Sequence, residues 1–268
     1  MSAPVRLAVL GDPLRYTRSP DLHRAGAQAL GMACESVALR TTAADLPAVL
    51  DRLALEGYLG CNLTMPLKEP ALACVREASA PARRARSVNT ITFQVGGMHG
   101  DTTDGAGFLD LLASLGREPA NSRLLLLGAG GSARSLAVAL GDAGCAGLDV
   151  VSRREPEDEP VWQAAHWHAW DSPAAHDALA RAGVVVNCTP LSDDGPPVAL
   201  SSLARGALVI DLTYGETLTP WVAEARAQGL EAFDGLGLLV HQARHSLARW
   251  FGREVPLEPL AAAVGWPR

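Results

Sequence analysis

The chain has 268 residues, 48% apolar and 19% charged, enough for one large domain or two modest ones with sizeable cores, and this excludes disorder as a whole-chain description. A formal net charge of −6 and a pI near 5.6 exclude nucleic acid or an anionic membrane as the main partner, because phosphate binding needs a basic footprint. The one basic cluster, "RRAR" at 83–86, reads as a solvated helix end.

No run of 18 or more apolar residues occurs, and "MSAP" leads straight into a strand-like run without a basic or apolar leader, which predicts a soluble, cytoplasmic protein. The cysteines at 34, 61, 74, 145 and 188 are odd in number and include no C-x-x-C. The expectation is therefore reduced, mostly buried thiols with neither a disulfide framework nor a zinc ribbon.

In chain order, a first strand is predicted over Val5–Leu10, followed by "GDPLRYTRSP" and a helix over Pro20–Leu30 with Ser19 as its N-cap. A helix over Leu46–Leu55 and a strand over Gly57–Leu63 lead into the polar stretch "CNLTMPLKEP", with a further helix over Glu69–Glu77. A strand over Val88–Gln94 starts in "SVNTI", and "GDTTDGAG" at 100–107 opens a helix over Gly105–Leu115. For Asp104 the bland reading is the N-cap of that helix.

"GREPANSR" at 116–123 then breaks the chain, but neither it nor Arg153–Pro160 has the composition of a flexible linker. A strand over Leu124–Leu127 runs into Gly128, Ala129, Gly130, Gly131, Ser132 and Ala133, then a helix over Ser132–Ala143. This is the G-x-G-x-x-A form of the dinucleotide fingerprint in its strand–turn–helix context. The glycines permit a tight turn and close approach to a pyrophosphate, whose charge meets the free N–H groups of the helix.

The next strand, Leu148–Val151, ends in Ser152, Arg153, Arg154 and Glu155. Two guanidiniums suit a 2′-phosphate and favour NADP, while Glu155 leaves NAD open. "HWHAW" at 166–170 alternates like a strand; His166 and His168 lack third and fourth metal ligands nearby, so packing is preferred to a metal site. Strands over Val184–Asn187 and Leu208–Leu212 and helices over Pro220–Gln228 and Leu238–Trp250 complete an α/β pattern. No repeat of fixed period is present.

Across residues 11 to about 243, the ordered motifs resemble those of the shikimate dehydrogenases: a glycine-proline loop with hydroxyls before S-P, N-x-T-x-P-x-K, V-N-T, G-D-N-T-D-G-x-G, G-A-G-G, N-x-T and G-L-G-x-L-V-x-Q. The resemblance implies an N-terminal α/β substrate domain (1–104, completed by C-terminal helices 237–268) and a Rossmann-type doubly wound NADP-binding domain (105–236), with the active site in the cleft between them. It implies reversible NADPH-dependent reduction of 3-dehydroshikimate to shikimate in aromatic amino-acid (chorismate) biosynthesis.

By the same resemblance, Lys68 is the proton donor and Asp104 its carboxylate partner, the pair that carbonyl reduction by hydride requires at the developing alkoxide. Thr17 and Ser19 grip the substrate carboxylate, Thr64 and Asn89 bind ring hydroxyls, and Tyr214 and Gln242 complete the substrate site. Thr189, Leu212 and Gly235 join the glycine loop, Ser152, Arg153 and Arg154 on the cofactor.

The sequence departs from the family pattern at Tyr16, where a histidine is usual, at Thr17, where a serine is usual, and in "SRRE". A quinate/shikimate dehydrogenase, or a relative using NAD or acting on another hydroxy-cyclohexene acid, is the alternative, and a non-catalytic nucleotide sensor the third reading. Subunit number, monomer or homodimer, is not written in the composition.

Overall fold

The computed structural model describes residues 3–14, 16–155, 160–191 and 197–268. Arg15 of the first loop and 156–159 of the charged stretch before Pro160 lie outside the described residues. The chain divides into two units, Met1–Gly107 with Leu239–Pro267 and Phe108–Leu238 with Arg268.

The first unit starts with β1 (Val5–Gly11), α1 (Ser19–Ala29), β2 (Cys34–Arg40), α2 (Leu46–Leu55) and β3 (Gly60–Leu63). After a 3₁₀ turn at Pro70–Ala73 come β4 (Glu77–Ala78), α3 (Ala80–Ala85), β5 (Thr90–Gln94), β6 (Gly97–Asp101) and the start of α4 (Asp104–Ser114). The sheet order is β2-β1-β3-β5-β6-β4. β1 is parallel to both β2 and β3, whereas β5 is antiparallel to β3 and β6. Ala8, Leu10, Cys61, Leu63 and Ile91 pack with Leu46, Leu50 and Leu53 of α2 in one buried cluster, which is why β1 reads as an apolar run.

The second unit contains β7 (Arg123–Leu127), α5 (Gly131–Asp142), β8 (Gly147–Ser152), β9 (Ala165–Ala169), α6 (Pro173–Arg181), β10 (Val184–Asn187), β11 (Leu208–Asp211), α7 (Pro220–Ala227) and β12 (Ala232–Phe233). Its sheet is ordered β12-β11-β10-β7-β8-β9 with every pairing parallel. Strand order therefore reverses between β7 and β10, so the glycine loop after β7 sits at the topological switch point where open α/β sheets bind ligands. α8 (Leu236–Phe251) and α9 (Leu257–Val264) end the chain. No helix among the described residues is long and apolar enough to cross a membrane.

The structure corrects three expectations and one alternative reading. Helix does not extend over Glu69–Glu77: it stops at Ala73, and the Arg76 N–H pairs with the Met98 carbonyl at 2.9 Å, so the next residues are drawn onto β6 as β4. Ser19 is not the N-cap of α1; Arg18 holds that place without a side-chain cap bond, and Ser19 is the first helical residue. Asp104 likewise starts α4 instead of capping it, with the Gly107 N–H bonded to the Thr103 carbonyl. Of the free cysteines, only Cys61 is buried, and the other four are half-buried.

Arg83 and Arg84 occupy the exposed last turn of α3, as expected of a solvated helix end. In β9, His168 bonds Asp149 across the strand pair at 2.6 Å while His166 is exposed. Trp167 donates its indole N–H to Ser152 at 3.0 Å.

Candidate active site

In the first unit the ends of β1 and β3 lie side by side. The Thr64 N–H bonds the Leu10 carbonyl (2.9 Å) and the Asp12 N–H bonds the Met65 carbonyl (3.1 Å), so Gly11 and Asp12 run beside the start of the loop that carries Lys68. Gly11 makes this possible: a Cβ there would lie 2.3 Å from Thr64 Cγ2. Thr17 Oγ1 accepts from the Ser19 N–H at 3.3 Å, and Ser19 is buried. Arg18 donates to Asp21 at 2.6 Å and the Ala263 carbonyl at 2.7 Å, and also hydrogen-bonds the Tyr16 side chain.

Lys68 Nζ donates to Asp104 Oδ2 at 2.5 Å, with the lysine side chain 16% exposed and the carboxylate 6%. The other carboxylate oxygen accepts from Asn89 Nδ2 at 2.7 Å. Asp104 is in the first turn of α4, where the helix dipole favours negative charge. Asn89 Oδ1 accepts from the Thr103 N–H at 2.8 Å and from Thr90 Oγ1 at 2.9 Å. Gln242 Oε1 accepts from Thr103 Oγ1 at 3.3 Å and, more weakly, from Asn89 Nδ2 at 3.4 Å. Lys68, Asp104, Asn89 and Gln242 therefore form one connected polar group.

α8 reaches this group because Gly107 lets it approach: a Cβ there would meet the Gln242 backbone nitrogen at 2.5 Å. Thr17 precedes α1, Ser19 opens it and Thr64 follows β3, all in the same unit, whereas Tyr214 belongs to the second unit, past the end of β11.

Further polar residues are buried in the first unit. Asn62 Nδ2 has three acceptors for its two protons: the Asn89 carbonyl (3.0 Å), Thr90 Oγ1 (3.0 Å) and, slightly farther, Ser246 Oγ (3.1 Å). His23 bridges Asn62 at 2.9 Å and Ser36 at 2.8 Å. The available signal was polar residues, Asn62 and Thr90, inside otherwise buried strands, since buried polar groups demand partners.

Complete burial pushes His23 down to about 4, opposed by its bond to Asn62 and assisted by the Arg24 charge. The unfolded chain protonates this imidazole near its ordinary 6.5 and the folded one only near 4. Stability is therefore full above about pH 6.5 and falls as pH drops toward about 4, by on the order of 3 kcal/mol. Urea unfolding at about pH 7 and about pH 4.5 measures this, and His23→Gln is expected to flatten this contribution.

In the second unit, Gly128 has φ +99, and a Cβ there would press on Thr189 Cγ2 at 2.7 Å. Gly130 is the N-cap of α5 with no side-chain cap bond, and a Cβ on it would meet nothing within 4 Å. A helix N-terminus with glycine at its cap position, at the switch point, fits a pyrophosphate. Thr189 is held by Asn187, its Oγ1 donating to Oδ1 at 2.6 Å.

Asn187 in turn donates to Asp211 at 3.0 Å; Asp211 also accepts from Thr213 Oγ1 at 2.9 Å and Thr219 Oγ1 at 2.8 Å. This fully buried Asn187–Asp211 pair braces the turns after β10 and β11, and sequence reasoning missed it. Gly235 lies against Leu212, whose carbonyl oxygen a Cβ would approach to 2.2 Å. Ser152 Oγ bonds the Arg154 carbonyl at 2.5 Å, and Arg153 and Arg154 are exposed.

Comparison with known proteins bears on this arrangement. Residues 9–91 match the shikimate dehydrogenase substrate binding domain and residues 235–264 the shikimate 5'-dehydrogenase C-terminal domain. A shikimate dehydrogenase (NADP(+)) of Acidiphilium cryptum (strain JF-5) is 40% identical over 260 residues, covering 94% of this chain and 92% of that protein. The crystal structure of shikimate 5-dehydrogenase from Thermus thermophilus in complex with NADP(H) and shikimate superimposes with a TM-score of 0.85 at 31% identity, covering 97% of this chain and 98% of that one. The ligand-free 5-ketofructose reductase of Gluconobacter sp. strain CHM43 follows with a TM-score of 0.82 at 25% identity, covering 98% of both chains. With ordered motifs, two sheets and relatives matched along nearly their whole length, the chain belongs to the shikimate dehydrogenase family.

Proposed function

We propose that this protein catalyses the reversible NADP(H)-dependent interconversion of 3-dehydroshikimate and shikimate in the shikimate pathway, as a cytoplasmic enzyme acting as a monomer or homodimer. The observation that carries this reading is the 2.5 Å pair of Lys68 and Asp104, anchored by Asn89. A nucleotide sensor has no chemical use for such a pair. In this reading residues 1–104 with 237–268 form the substrate domain and 105–236 the nucleotide domain.

The bound nicotinamide supplies or accepts the hydride. Lys68 stabilises the negative charge that develops on the carbonyl oxygen and delivers its proton there; in the reverse direction it receives the hydroxyl proton. Asp104 fixes the ammonium and accepts from a neighbouring substrate hydroxyl. Thr17 and Ser19 take the substrate carboxylate: Ser19 is relieved of helix capping, leaving its hydroxyl for a ligand. Thr64, Asn89 and Gln242 define the ring site. Gly128 to Ala133, Thr189, Leu212 and Gly235 hold the dinucleotide, and Ser152, Arg153 and Arg154 its 2′-phosphate.

The test is a kinetic grid of shikimate and quinate with NADP and NAD. Shikimate with NADP is expected to give the highest kcat/KM; a preference for quinate overturns the substrate assignment and supports the reading that Tyr16, bonded to Arg18, reshapes the first loop. Arg153→Ser with Arg154→Ser is expected to raise KM for NADP about tenfold or more and leave KM for NAD unchanged, because only the phosphate needs the guanidiniums.

A further inference from the structure

The donor and acceptor roles in the buried polar group of the first unit are determined by its members that have only one role available. The Asn89 carbonyl can only accept, so the Asn62 group facing it at 3.0 Å is Nδ2. Asn62 Oδ1 therefore faces His23, and His23 Nε2 must donate to it at 2.9 Å. Neutral imidazole then accepts at Nδ1, which makes Ser36 the donor at 2.8 Å.

The same logic applies at the far end. The Thr103 N–H can only donate, so it identifies Asn89 Oδ1, and Asn89 Nδ2 consequently meets the carboxylate of Asp104, which can only accept. Thr90 Oγ1 joins the halves, accepting from Asn62 at 3.0 Å and donating to Asn89 at 2.9 Å. Ser246 Oγ lies 2.8 Å from Thr90 Oγ1 and 3.1 Å from Asn62 Nδ2, filling the remaining side.

We infer that Ser36, His23, Asn62, Thr90 and Asn89 form a one-way chain of hydrogen-bond donors ending on Asp104, with His23, Asn62 and Thr90 as positioning residues that hold the Asn89 amide and the Asp104 carboxylate in the single orientation Lys68 requires. The inference rests on the catalytic reading of Lys68 and Asp104.

Every bond in the series points toward the carboxylate, so each dipole polarises the next in the same sense. The chain is not a proton wire, because the Asn62 and Asn89 amides have fixed roles and cannot relay a proton. Burial keeps His23 neutral, and the Arg24 charge on α1 acts in the same direction; the Trp250 ring meets it edge-on at 5.3 Å. At the other end the charged group against Asp104 is Lys68.

Thr90→Val removes the two links made by the Thr90 hydroxyl, to Asn62 and to Asn89, while keeping the shape and β-propensity of the side chain, and Thr90→Ser restores the hydroxyl. Thr90→Val is expected to lower kcat for shikimate oxidation about tenfold with KM for NADP unchanged, and Thr90→Ser to recover most of that loss. Asn62→Leu should give the same loss of kcat if it folds; Thr90→Val with its Thr90→Ser rescue decides the matter if it does not.

Wild-type kcat in a folded Thr90→Val protein, or a loss that Thr90→Ser does not recover, beside an inactive Lys68→Met, overturns the donor chain alone. An active Lys68→Met overturns the catalytic reading beneath it.

Discussion

Lys68→Met is expected to lower kcat for shikimate oxidation, and for the reverse reduction, by about 10³-fold with little change in KM for NADP. Methionine keeps the length and apolar stem of lysine but neither donates a proton nor carries charge. The loss combines general acid–base chemistry with stabilisation of the developing oxyanion. Asp104 would remain bonded to Asn89, so the variant should fold and bind nucleotide. Turnover is followed by nucleotide absorbance and nucleotide binding by titration; undiminished turnover would remove Lys68 from the mechanism.

Gly60→Ala is expected to destabilise the first unit by about 3–5 kcal/mol. Gly60 opens β3, opposite Leu7 on one side and Thr92 on the other. A Cβ at this position would lie 2.2 Å from Trp250 Nε1 and 2.5 Å from the Ile91 carbonyl oxygen. Those two atoms are hydrogen-bonded to each other at 3.0 Å, so the methyl group lands on the bond itself. The indole is 6% exposed and must leave its site, orphaning a buried carbonyl and overpacking the sheet. Trp250 also supports His23 edge-on, so activity should fall along with stability. Urea unfolding followed by tryptophan fluorescence measures the first effect, and a loss below about 1 kcal/mol would show that the sheet accommodates the methyl group without displacing the indole.

The elements with strong apolar signals were the legible ones. β1, β7 and β10 are buried runs, and α2 has the bounds its apolar spacing predicts. β2 escaped because its residues, "CESVALR", alternate between half-buried and exposed on a sheet edge, so no continuous apolar run announces it. β4 and β12 have two residues each, too few for any period to register. Over 69–77 local helical propensity lost to strand pairing with β6, a tertiary override.

Of the candidate site, the residue types and their loops were legible, but their mutual contacts were not. Lys68 and Asp104 are 36 residues apart and Asn89 and Gln242 are 153 apart. Bringing such groups together depends on register and on close approaches at Gly11 and Gly107, which chain spacing does not record. The Ser19 cap failed for a related reason: the Ser-Pro pair predicts a helix start, yet the helix began one residue earlier.

The amino-acid sequence by itself determined the α/β class, the strand–glycine loop–helix unit, the acidic charge balance and the set of chemical groups available, because these follow from local pattern and composition. Tertiary structure alone decided the strand order that puts the glycine loop at a switch point and the partners of each buried polar group. It also decided the direction of the hydrogen bonds from Ser36 to Asp104. A donor and an acceptor acquire fixed roles only when folding removes water and leaves each of them one neighbour able to answer.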